Sequence, residues 1–295
     1  MNDILLISDT HFGSWYAPWP PEYTPHNPTT GDPEVDPRTG SPLTLTSPIT
    51  TSLKYHQLWQ DLKKFLDRRK VKVVIVNGDA ADGPQFRSKG KMTVTADLRY
   101  QCLCARDYFL DLPIGKDVPW YFTLGSEYHS VDDRPLEQYI ADLMSLEGRD
   151  ATFRDDMVIH ECGVNIHAAH YTGVTRVFHY RSTPLARDMM SLAIHDGPDE
   201  YGPIDMIVES HAHYFWSNRS EHTVGVITPC WQARTPYGVK KGYKNPPSNG
   251  WVIANIQKKA FGGGKHIEVV PYTKLVESPV SHVGRDLVMP KGRGI

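Results

Sequence analysis

Short apolar runs recur along this chain, and each stops at side chains able to bind a metal ion. Nothing else in the sequence limits its fold as much. Ile4 to Ile7 runs into Ser8-Asp9-Thr10-His11, and Val71 to Val76 runs into Asn77-Gly78-Asp79, with Asp82 shortly after. Trp120 to Leu124 ends at Gly125-Ser126-Glu127-Tyr128-His129. The stretch "VNIHAAHYTG" holds His167 and His170 near the end of a short strand, and Met206 to Val208 runs into Ser210-His211-Ala212-His213. Short continuous apolar runs fit strands buried on both faces. An open α/β sheet keeps its site just past the carboxyl ends of such strands.

Helical patterns separate the runs. Tyr55, Leu58, Trp59, Leu62, Phe65 and Leu66 share one face of a helix capped by Thr51 or Ser52, and this aromatic stripe reads as core. His56 and the basic end Arg68-Arg69-Lys70 read as solvated helix surface. Strand, helix, strand implies a parallel crossover, which brings Asp79 out on the same edge as Asp9. Gly78 allows the sharp turn there. Further helices are expected over 95–112 and from Pro135 onward. Beyond His213, "TVGVITPCWQ", "GWVIANIQ" and "KHIEVVPY" read as hairpin-rich strands of a second sheet.

We expect one α/β domain over 1–273 and an extended tail over 274–295. Residues 15–50 interrupt it with nine prolines and no helical or strand period. A loop of that length is either a substrate-covering flap, carrying Trp15, Tyr16, Trp19 and Tyr23, or a mobile surface insertion. No run of eighteen apolar residues is present, so no membrane span is expected. No signal peptide is read before the first strand, which begins at Ile4. A net charge of −2 gives no electrostatic case for a nucleic-acid partner. Cys102, Cys104, Cys162 and Cys230 lack framework spacing and read as reduced thiols of a cytoplasmic protein.

Of fourteen histidines, those at strand ends carry the chemistry. His160, His179, His195, His222, His266 and His282 are isolated and read as surface or satisfied core residues; His26, inside the insertion, has no assignment. On extended backbone His211 and His213 point to opposite sides, so each can face a different ion of a two-metal site. His167 is an alternative to His170, which the following Gly173 break favours. Arg181 and Arg187 could reach a phosphate, although surface arginines are the default. Lys240, Lys241 and Lys244 beside Tyr237 and Tyr243 could follow a nucleic-acid backbone, or form a solvated turn.

In order, Asp9-x-His11, Gly78-Asp79-x-x-Asp82, a Gly125-led cluster, His170 and His211-x-His213 resemble the motifs of the calcineurin-like metallophosphoesterases. The resemblance implies a two-sheet β-sandwich flanked by α-helices, within the α/β class, with metals at strand carboxyl ends. It implies that Asp9, His11 and His213 hold one ion, that His170 and His211 hold a second, and that Asp79 bridges. Asp82 would orient a catalytic histidine. The third motif departs from the family, where Gly-Asn-His is usual. Ser126 is a poor ligand, so Glu127 is expected to replace the asparagine, with a water as the alternative. His129 is the candidate catalytic acid, its competing reading being a helix cap.

The expected cofactors are two divalent ions, Mn²⁺ first, with Fe, Ni²⁺ or Zn²⁺ also suited to mixed nitrogen and oxygen ligands. The expected chemistry is attack of metal-activated water on a phosphoester. Gly83-Pro84 after Asp82 replaces the Arg-Gly of phosphoprotein phosphatases, which favours phosphodiester substrates, DNA or RNA included. A phosphomonoesterase of nucleotides or small molecules, or a binding protein that has lost turnover, are the alternatives. The sequence does not address oligomeric state.

Overall fold

The structure is a computed structural model describing residues 2–85, 90–127, 134–175, 177–195, 202–240, 246–258 and 265–276. Its first sheet holds β1 (Asn2–Ile7), β2 (Val71–Asn77), β3 (Trp120–Thr123), β4 (Ala151–Arg154), β10 (Asn249–Lys258) and β11 (Lys265–Lys274), in the order β11-β10-β1-β2-β3-β4. The second holds β5 (Met157–Glu161), β6 (Val164–Ala168), β7 (Met206–Glu209), β8 (Trp216–Arg219) and β9 (Val224–Ile227), in the order β5-β6-β7-β9-β8. Helices α1 (Thr51–Leu66), α2 (Leu98–Leu110), α3 (Leu136–Leu146), α4 (Thr183–His195) and α5 (Pro236–Lys240) complete the elements.

Strand periodicity sets the layers. Ile4 and Leu6 of β1, with Val73 and Ile75 of β2, face Ile166, Met206, Val208 and Val226 of the second sheet in one apolar cluster. Their neighbours Leu5, Ile7, Val74 and Val76 point the other way, against Tyr55, Trp59 and Leu62 of α1 and Phe109 of α2. Leu185 and Met189 of α4 cover Ile207 and Ile227 on the outer face of the second sheet. The result is the expected helix-flanked two-sheet sandwich. β1, β2 and β3 run parallel, as do β6, β7 and β9, so each sheet presents a set of carboxyl ends along one edge.

Several expectations change. β10 and β11 join the first sheet rather than the second, because β10 pairs antiparallel with β1 and turns Val252, Ala254 and Ile256 into the inter-sheet core. Thr50, not Thr51 or Ser52, occupies the α1 cap position, and no side chain caps it. The basic end of α1 is not merely solvated, since Arg69 pairs with Asp3 at 2.9 Å and lies over the Phe65 ring. His56 is half-buried and bonded to the Tyr108 hydroxyl at 2.6 Å. Residues 277–295 of the expected tail, and Lys241, Tyr243 and Lys244, lie outside the described residues.

The first part of the 15–50 segment packs into the core, while most of residues 26–50 lie at the surface. Isolated bridges pair Tyr23 with Leu45, His26 with Pro33 and Val35 with Pro42. Trp19 is fully buried and Tyr23 nearly so, both inside the helix-side core. Tyr23 donates to Asp107 of α2 at 2.7 Å. Proline-rich sequence hid this, because short bridges leave no strand period to read. Trp19→Ala should therefore cost about 3–5 kcal/mol of unfolding free energy in a urea titration. A flap residue would leave the midpoint unchanged.

Candidate metal centre

The backbone beyond β1 and β2 is laced together: Asp9 N–H donates to Gly78 O at 3.1 Å, and His11 N–H to Asp79 O at 3.0 Å. Past β6 and β7, Ser210 N–H donates to His170 O at 2.9 Å. Asp9, His11, Asp79, His211 and His213 all adopt left-handed backbone, with φ between 45° and 66°. Only two other non-glycine residues among those described do so, Gln85 and Cys162. Such residues cost of order 1–3 kcal/mol each and concentrate at functional sites.

These turns change the reason that His211 and His213 diverge. Neither is on extended backbone, since β7 ends at Glu209, and it is their left-handed turns that send them to separate groups. Gly78, at φ +74°, is required twice over: a Cβ there would stand 2.4 Å from the His170 ring.

Two triads result. Asp9, His11 and His213 form one and Asp79, His170 and His211 the other, with the ligand atoms of each within 4.8 Å of one another. Each triad draws residues from both sheets. In the first, His11 Nε2 and His213 Nε2 are 3.4 Å apart, and Asp9 Oδ1 lies 3.2 Å from His213 Nε2 and 4.0 Å from His11 Nε2. Two nitrogens each ~2.1 Å from a tetrahedral zinc would be separated by about 3.4 Å. In the second, Asp79 Oδ2 is 3.1 Å from His170 Nε2. His211 Nδ1 is buried without a hydrogen-bond partner, and Asp9 Oδ1 meets only imidazole nitrogens, an arrangement a cation would relieve. The residues present fit divalent ions.

Hydrogen bonds aim the ligand atoms. His170 Nδ1 faces the Asn77 carbonyl at 2.7 Å, and a carbonyl only accepts. Nδ1 therefore carries the proton and Nε2 points into the triad. Asp9 divides its oxygens: Oδ2 accepts from Ser8 at 2.7 Å and from His211 N–H at 3.3 Å, leaving Oδ1 to the imidazoles. Asp79 Oδ1 accepts from Ser126 N–H at 2.6 Å.

The electrostatics follow. Burial raises the Asp9 carboxyl, but His213 and His170 outweigh it and hold it at about 2. Burial lowers His170, yet Asp79 and Asp9 push it to about 9. Burial and then His170 depress His211.

The remaining expectations divide. His170 rather than His167 joins a triad; His167 stays within β6, paired with Ile207. Glu127 is exposed and belongs to neither triad. Ser126 turns inward instead, its hydroxyl also donating to Asp79. Asp82 Oδ1 faces His11 Nδ1 at 3.6 Å and accepts from Gln85 and Gln232. His129 lies outside the described residues. Arg181 lies over the Phe178 and Tyr214 rings. Asn77, Ser210, Thr228 and Glu137 were not singled out by sequence; only the polar endings of otherwise apolar strands hinted at the first three.

No family model and no curated protein matches the chain. Solved structures similar to it include Vps29 from Chaetomium thermophilum, 11% identical over 93% of this chain and 100% of that one, at a TM-score of 0.40. Vps29 from Entamoeba histolytica complexed with Zn²⁺ is 10% identical over 91% and 98%, at 0.39. A novel archaeal phosphodiesterase is 9% identical over 91% and 99%, at 0.40. Likeness this loose bears on neither site nor activity. The chain's own topology is the helix-flanked two-sheet architecture that its motif order implies.

The His170–Asp79 pair gives the metal-free protein a pH signature. A histidine raised from 6.5 to about 9 stabilises the fold fully below pH 6.5, and that stability is lost as pH rises through 9. Thermal melts in chelator should show Tm falling across that window. A flat or rising Tm would contradict the pairing.

Proposed function

We propose that this chain is a binuclear metal-dependent phosphoesterase that hydrolyses phosphodiester bonds. The observation supporting it is the meeting of two ligand triads, from five strand-end residues in strained turns and from His170, at one edge of the sandwich. Asp9, His11 and His213 would hold the first ion, and Asp79, His170 and His211 the second, with the Asp79 carboxylate as the bridge. When bound, the ions supply an activated water and neutralise charge on the phosphoryl oxygens.

The chain's own part is orientation. Ser126 pins Asp79 through two donors, and the Asp82 carboxylate lies 3.6 Å from His11 Nδ1. His129 is our candidate for protonating the leaving oxygen. Mn²⁺ is the first choice of metal, with Fe, Ni²⁺ and Zn²⁺ next, and DNA or RNA are among the diesters proposed as substrates. No helix among the described residues is long and apolar enough to cross a membrane. The four cysteines are all free, which supports a cytoplasmic location.

One observation favours a second reading, an ion-binding protein with little turnover. Ser126 is bonded to Asp79 and Glu127 is exposed, and neither belongs to a triad. Mn²⁺-loaded protein should hydrolyse bis-p-nitrophenyl phosphate faster than p-nitrophenyl phosphate, with labelled DNA assayed alongside. Asp79→Ala should lower that rate by at least about 10²-fold. Monoester preference would select a phosphomonoesterase. Two bound ions without hydrolysis would select the binding protein.

A further inference from the structure

Helix α3 presents Leu136, Ile140, Ala141, Leu143 and Met144 to the core, and among them one acid, Glu137, that is only 1% exposed. Its Oε1 accepts from the Ala80 N–H at 3.1 Å, one residue past Asp79. Its Oε2 is buried with no hydrogen-bond partner. A carboxylate so placed is costly unless something cationic shares its surroundings.

The surroundings point to what that is. A Cβ built on Gly125 would lie 2.4 Å from Asp79 Oδ1 and 3.0 Å from Glu137 Oε1. Asp79 and Glu137 thus close in on the bare Cα of Gly125 together, and no other residue type would admit both. Burial and the Asp79 charge both disfavour an ionised Glu137 in the absence of a counter-charge. The second triad holds a single carboxylate, and among the described residues of the loop that should add a ligand, Glu127 is exposed and Ser126 bonds to Asp79 through both its N–H and its O–H.

We infer that Glu137 is a positioning residue for the second ion, holding the Asp79 turn through Ala80 and supplying, from behind Asp79, the negative charge that Ser126 cannot. It rests on the two-ion reading of the site. Because its test reads ion binding, a failure of hydrolysis with both ions bound would count against the activity and leave Glu137 untouched.

The test is calorimetric titration of full-length, metal-stripped protein with Mn²⁺, together with Tm in chelator. E137Q keeps an oxygen for Ala80 and removes the charge; E137L removes both. The wild type should bind two ions, with His211→Ala eliminating one step. E137Q should weaken that same step by about 10–100-fold. The other step should stay within about twofold, and the metal-free Tm should be unchanged or higher. E137L should weaken the step as well and lower the metal-free Tm. Wild-type-like binding of both ions by E137Q would reduce Glu137 to a structural acceptor and overturn the inference. So would weakening of the step that His213→Ala removes, or a wild type that binds fewer than two ions.

Discussion

Asn77, the last residue of β2, is the joint on which the site depends. Its side-chain N–H groups donate to the Ala169 carbonyl at 2.9 Å and to Ser210 Oγ at 2.6 Å, both past strands of the opposite sheet. Its side-chain oxygen accepts from Thr123 of β3 at 2.8 Å. Its own carbonyl takes the Nδ1 proton of His170. One fully buried amide therefore ties two sheets, fixes a tautomer and aims a ligand. Ser210 extends the network to Thr228 at 2.7 Å, and Thr228 to Ser8 at 2.6 Å, which in turn holds Asp9. Buried polar chains of this kind are worthwhile only when satisfied, and then they specify one arrangement.

The apolar core and this belt divide the labour. Alternating residues of β1 and β2 hold the sheets together and hold the helices on, without regard to what happens at the strand ends. The belt then sets the relative height of those ends, so that side chains from both sheets meet within ligand distance. Five left-handed residues store strain there. They persist because the laced turns and the buried hydrogen bonds over-determine them.

Charge is the unfinished part of the centre. Asp9, Asp79, Asp82 and Glu137 are all buried along the same edge, alongside His11 and His170. Imidazoles balance part of this by taking up protons, as His170 does beside Asp79. Divalent ions would balance it without protons, and would favour the neutral imidazole that Asn77 already prepares. The same arithmetic separates Glu127 from Glu137: a solvent-facing carboxylate keeps its water and needs no partner, whereas a buried one must be neutralised by a proton or a cation.

How much of this was legible in the sequence varies residue by residue. Asp9, His11, Asp79, His170, His211 and His213 could be read because each closes an apolar run, and a strand's end is a local property. The helices showed through their periodic apolar faces. The sheet to which β10 belongs could not be read, since any apolar strand fits either sheet until an edge is left open beside it. Nor could the packing of Trp19 and Tyr23 in the 15–50 segment, whose single-residue bridges have no period. Glu127 could be singled out because it lies within the third motif, whereas Glu137, eleven residues beyond Ser126, reaches the Asp79 turn at Ala80 only through the docking of α3. The sequence by itself determined which strand ends carry ligand-type residues. The tertiary structure alone decided how they group and which acids are buried among them, because grouping depends on distances across two sheets, and burial depends on what packs above.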